Sequence, residues 1–144
     1  MEPLESITND QLSNDKLLVQ GNMLKAINSI LFYVRDLDAS AEFYTKLGMS
    51  VSRHEDHVLA EVGDFSVQLF DESKVQFKQD SDKPEKGTGV FVYIECDDID
   101  GQFRHMKDEG LNPSSEPTDH PWGKREFAIK DPDGYRLVFY KLLD

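Results

Sequence analysis

The sequence predicts an α+β domain in which one unit, a strand, a helix and then three strands, is used twice. Three observations carry this reading: a gapless internal repeat, an Asp-apolar-Asp helix start in each copy, and a tight-turn signal before the last strand. Sliding the 144-residue chain on itself by 62 positions lays SILFYVRDLDASAEFYTKLGM (29–49) on FVYIECDDIDGQFRHMKDEGL (91–111). Asp36, Leu37, Asp38, Gly48 and Met49 then meet Asp98, Ile99, Asp100, Gly110 and Leu111.

Residues 1–22 are rich in Asn, Gln, Asp and Ser and read as a polar extension outside the core. A short helix is expected there over Ser13 to Gln20. The domain proper is 23–144, with module one at 25–70, a linker at 71–88 and module two at 89–142. In the first strand, alternation sets Ile30, Phe32 and Val34 against Ser29, Leu31 and Tyr33. Asp36 or Asp38 can cap the helix that follows, Phe43 and Leu47 share one of its faces, and Gly48 supplies its left-handed stop. Strands are expected at 50–54, 57–62 and 65–70. The linker is a polar, charge-rich region and long for a plain connection. In module two, Val92, Ile94 and Cys96 take the helix-facing side, answered by Phe103 and Met106. A less regular region near 112–117 precedes strands at 124–130 and 135–141. Asp131-Pro132-Asp133-Gly134 is the turn between them, since Pro presets one dihedral and Gly accepts positive φ.

Composition narrows the function. The net charge of −12, from 28 acidic and 16 basic residues, argues against nucleic acid, whose binding needs cationic patches, and favours cationic ligands. No apolar run is long enough for a membrane span, and the N-terminus MEPLESITNDQ lacks the marks of a signal peptide. A single cysteine, Cys96, allows neither an internal disulfide nor a cysteine zinc cluster, and a cytoplasmic protein is expected. Cys96 itself reads as a core thiol. There is no nucleophile elbow and no phosphate-cradling glycine loop. In RHEDH (53–57), His54 and His57 are expected to point in different directions on a solvated hairpin. His105 reads as exposed, and His120 as the one histidine near the expected pocket.

VRDLDASAEFYTKLGM and REFAIKDPDGYRLVF resemble the two signature stretches of the vicinal oxygen chelate superfamily, which contains glyoxalases, extradiol dioxygenases and bleomycin-resistance proteins. The resemblance spans about residues 25–142 and is nearest in motif to the bleomycin-resistance members. It implies two βαβββ modules curled into half-barrel sheets whose concave side holds the ligand. It also implies pairing of chains as a homodimer. Metal-dependent members place His, Gln or Glu on the first and last strands of each module. Those positions here hold Ser29, Gln68, Phe91 and Val138, so neither a metal nor a cofactor is expected, and metal-dependent lyase or dioxygenase activity is not.

The inward alternates that remain describe an aromatic pocket with polar fixtures. Its expected ligand-binding residues are Tyr33, Gln68, Phe91, Tyr93, Glu95, Trp122, Glu126, Arg136, Val138 and Tyr140. PWGKREF (121–127) resembles the segment of bleomycin-resistance proteins that lies near the drug groove. Arg125 and Glu126 must face opposite ways, and either could be the one in the pocket. The expected function is metal-independent sequestration of an aromatic or cationic small molecule, an antibiotic among the possible classes, without nucleic acid or membrane partners. The alternatives are a lyase, isomerase or dioxygenase-like enzyme with a non-standard site, using Glu95, Tyr93 or His120 as acid or base, and a scaffold that has lost its site.

Overall fold

A computed structural model describes residues 23–74 and 87–144. The expected helix over Ser13 to Gln20 lies outside the described residues. Module one runs β1 (Ser29–Val34), α1 (Leu37–Leu47), β2 (Ser50–Arg53), β3 (His57–Val62) and β4 (Phe65–Asp71), closed by a 3-10 turn at Glu72–Lys74. Module two runs β5 (Phe91–Glu95), α2 (Ile99–Asp108), β6 (Thr118–His120), β7 (Lys124–Lys130) and β8 (Arg136–Leu142). The sheets have the same order, β1-β4-β3-β2 and β5-β8-β7-β6. In each, the first and last strands of the module pair in parallel and the remaining pairs are antiparallel. No described helix is long and apolar enough to cross a membrane.

Both helices start as their sequences dictate. Asp36 is the N-cap of α1, and its carboxylate accepts from the amides of Asp38 and Ala39. Asp98 caps α2 through the Gly101 amide at 2.9 Å. Gly48 ends α1 at φ +106°, a backbone state that L side chains rarely take. The core is one continuous layer between helices and sheets. It joins Phe32, Val34, Val58, Val67 and Leu69 to Phe43, Tyr44 and Leu47, and Phe127, Ile129, Leu137 and Phe139 to Ile99 and Met106.

Two expectations about the second module's strands are corrected. Its first outer strand is Thr118–His120, not 112–117. Pro113 and Pro117 lack the N–H that a ladder needs, so this stretch follows β7 through single bonds, Ser114 N–H to the Ala128 carbonyl and Ala128 N–H to Ser115 Oγ. Tyr135 falls just before β8 because its amide is drawn into the turn by Asp131 Oδ1 at 2.9 Å.

The turn at 131–134 joins the modules. Asp131 accepts from its own turn amides and from the Tyr44 hydroxyl of α1 at 2.8 Å. Asp133 accepts from the Arg35 amide and guanidinium. The Tyr135 ring stacks on Phe32 at 3.8 Å, while its hydroxyl accepts from the Tyr33 amide and donates to the Tyr33 carbonyl. That hydroxyl stands where a neighbouring strand would otherwise pair with the β1 edge. At the helix ends, Gln102 Nε2 donates to the Leu47 carbonyl, and His105 Nε2 lies 2.9 Å from the Lys46 carbonyl. His105 is exposed as expected, yet it ties α2 to the last turn of α1.

Candidate functional site

Strand alternation decides which side chains reach the helix-free face of sheet two. Along β7, Phe127 and Ile129 are buried against α2, which puts Lys124, Glu126 and Ala128 on the opposite face. Arg125 therefore turns toward the helix side, where it bonds Asp100 at 2.9 Å and Asp119 at 3.0 Å. Glu126 thus faces the helix-free side of the sheet and Arg125 the helix side.

Glu126 sits at the centre of a cluster. Its Oε1 accepts from Trp122 Nε1 at 2.9 Å, and its Oε2 accepts a long bond from the Tyr93 hydroxyl at 3.5 Å. Burial, and then the Glu126 charge, hold the Tyr93 hydroxyl above its ordinary pKa, and it donates to Glu126. Tyr140 lies beside Glu126 in the ladder, and its ring meets Tyr93 edge-on at 5.7 Å. The His120 ring stacks on one face of Trp122 at 4.2 Å, and Trp122 as a residue remains 59% exposed. Lys124, absent from the sequence-based set, reaches back over both tyrosines. Its alternation with Glu126 was the signal that could have found it.

The other expected residues are distributed as follows. Phe91 is half-exposed, with the Arg136 guanidinium 4.7 Å over its ring and Arg136 anchored to the Gly87 carbonyl at 3.1 Å. Val138 is only 3% exposed and forms the floor between Tyr93 and Ala128, its ladder neighbours. Glu95 is exposed at the end of β5 and lines a groove of about 370 Å³ with Leu47, Met49, Asp97 and Gln102. Tyr33 and Gln68 belong to sheet one, where Gln68 lies between Leu31 and Leu59 and Tyr33 beside Phe70. The fold thus gathers Tyr93, Trp122, Glu126 and Tyr140 and sets Phe91, Arg136 and Val138 along the same sheet. Tyr33 and Gln68 stand on the other one.

Sheet one also corrects the reading of RHEDH. His54 and His57 do not diverge. Their rings stack at 4.7 Å, and His57 stacks in turn on Phe70 at 4.9 Å. The turn at 54–56 curls His54 back over the strand that carries His57. Parallel stacked imidazoles present their nitrogens side by side and do not aim them at one ion.

Residues 26–139 match the family model of the Glyoxalase/Bleomycin resistance protein/Dioxygenase superfamily. The chain belongs to this superfamily. It is 29% identical over 119 residues to the bleomycin resistance protein of Geobacillus stearothermophilus, covering 75% of this chain and 90% of that one. The bleomycin resistance protein of Staphylococcus aureus strain MRSA252 matches with the same identity and coverage. Among solved structures, a hypothetical protein from S. aureus superposes with a TM-score of 0.70 at 27% identity, covering 87% of this chain and 98% of that one. A superfamily member from Nocardioides superposes at 0.71 and 22% identity over 95% of both chains, a likeness of fold.

The superfamily's metal-dependent members set a test for the four equivalent positions. Ser29, Gln68, Phe91 and Val138 offer a hydroxyl, an amide, a phenyl ring and a buried isopropyl group. They do not fit a divalent ion, which must recover its hydration from several N, O or S donors at one point. Cys96 is no substitute. It is half-buried behind β5, and burial, ahead of the neighbouring acids, pushes its thiol up to about 11.

Proposed function

We propose that this protein is a metal-independent small-molecule binder that holds an aromatic or cationic ligand on the helix-free face of sheet two. The observation that carries the reading is the cluster around Glu126: one carboxylate set among Trp122, Tyr93 and Tyr140 on an open face. Stacking surfaces beside a fixed charge suit a planar cation, each cation–π contact contributing about 0.5–2 kcal/mol. The bleomycin resistance proteins it is similar to support a binding role, and the side chains at the four metal positions favour binding over metal chemistry.

The same reading includes a homodimer. Leu31, Phe91, Tyr93 and Trp122 are 45–59% exposed, more apolar surface than a single chain gains from presenting to water. A second copy would cover part of it and wall the ligand in. A matched panel of 1-naphthylmethylammonium, 1-naphthalenemethanol and 1-naphthalenesulfonate tests the binding. The cation is expected to raise the melting temperature and shift Trp122 emission, with Trp122→Ala weakening it several-fold. If no probe moves either signal, the reading is wrong.

A further inference from the structure

Lys124 projects from β7 on the same face as Glu126, yet its ammonium does not go to that carboxylate. Its Nζ lies 4.8 Å from the centroid of Tyr93 and 4.8 Å from that of Tyr140. The two rings are 5.7 Å apart and inclined at 60°, so they form a wedge and the ammonium fills it. Among the described residues no carboxylate lies within ion-pair distance of Nζ. Glu126 is left to the neutral donors Trp122 and Tyr93.

Arg136, another cation on this face, makes an instructive contrast. It too covers an aromatic ring, but a hydrogen bond to the Gly87 carbonyl fixes it. Among the described residues Lys124 has no such anchor. Its flexible four-carbon stem can swing the ammonium into water, where that group is strongly hydrated.

We propose that Lys124 is an exchangeable internal occupant: it fills the Tyr93–Tyr140 wedge in the free protein and leaves when a ligand's cationic group enters. This rests on the binding reading above and goes further, because it assigns the ligand cation its place and names what sets its affinity. The wedge gives its π-faces to one cation at a time. An incoming ammonium therefore gains only the difference between itself and Lys124, while an anionic ligand finds a cation already in place. The intrinsic cation preference of the aromatic face is masked by the protein's own side chain.

The experiment titrates wild type and Lys124→Ala with the three naphthalene probes by calorimetry, and follows the Lys124 CεH2 resonance of the wild type. In the free protein that resonance is expected upfield, shielded by two ring faces, and saturation with 1-naphthylmethylammonium should return it to the position of an exposed lysine. Removing Lys124 should tighten the cation by roughly two- to thirty-fold, the size of one cation–π contact, and weaken the sulfonate, with the alcohol little changed. A cation that binds both proteins equally, or binds the variant more weakly, overturns the exchange and leaves the binding site standing. Failure of every probe to bind either protein overturns both readings. If melting shows that Lys124→Ala does not fold, the wild-type resonance decides: movement on saturation supports exchange, and no movement overturns it.

Discussion

Glu126 can orient an indole because the strand offers it no competing cation: Lys124 goes to the tyrosine rings and Arg125 turns to Asp100. Glu126→Gln keeps an oxygen for Trp122 Nε1 but removes the charge. It should leave the melting temperature nearly unchanged, weaken 1-naphthylmethylammonium several-fold and flatten the dependence of its binding on salt, measured by calorimetry at two ionic strengths. An unchanged salt dependence would place the charge partner elsewhere. Cys96 is a second residue whose setting predicts behaviour. With its thiol pushed up to about 11 and half-buried, little thiolate exists at neutral pH. Alkylation by iodoacetamide should be slow in the folded protein and complete only in denaturant, followed by mass. Fast labelling of the native chain would show that the β5 end opens.

At the scale of the element, the 131–134 turn does more than reverse the chain. Burial raises the Asp131 carboxyl from 3.8 to about 6, although the Tyr44 hydroxyl and two amides bond it. The folded state therefore holds a proton that the unfolded chain has lost between about pH 4 and 6. Stability from this group is full below that window and falls as pH rises through it, by up to about 3 kcal/mol at 1.36 kcal/mol per unit. Asp131→Asn, which keeps the shape, should remove that slope. Urea unfolding of both proteins across pH 4–7 should show the wild type losing ground to the variant as pH rises. Parallel curves would mean that the carboxylate is fully compensated by its donors. Gly87 constrains the same corner. A Cβ there would come within 2.6 Å of the Tyr135 ring at φ +71°, so Gly87→Ala should be destabilising.

For the whole molecule, charge and exposed apolar surface act against one another. A net charge of −12 repels a second copy, whereas Leu31, Phe91, Tyr93 and Trp122 favour covering one. The proposed dimer should therefore tighten with added salt. Sedimentation at micromolar concentration is expected to show twice the chain mass at moderate ionic strength, with dissociation favoured when salt is low. A monomer under both conditions would remove the dimer from the functional reading and leave the sheet-two face open to solvent. The two modules hold together without that contact, through Tyr44–Asp131, Arg35–Asp133 and Tyr135–Tyr33 across one corner and Gln102 and His105 across the helix ends.

Elements defined by local rules were legible in the sequence. The repeat announced itself because both copies solve the same problem with the same short-range signals: alternating apolar residues, an Asp cap, a turn of fixed dihedrals. Gly48 and the 131–134 turn are local in that sense and stand as read, and of the two cap candidates, Asp36 and Asp38, it is Asp36 that takes the role. Phe91 and Val138 are legible in another way, since a side chain without a donor atom has none in any fold. Strand 118–120 was misplaced because the pairing partner of an irregular edge is chosen by the neighbouring strand β7. The faces of Arg125 and Glu126, the His54–His57–Phe70 stack and the Lys124 wedge were decided only by tertiary structure. Alternation says that two neighbours face apart, but only packing against α2 says which of them faces the helix. A lysine's partners depend on what lies within reach of a flexible stem, and here two of them come from strands 31 and 16 residues away, brought together by the β5-β8-β7 order of the sheet.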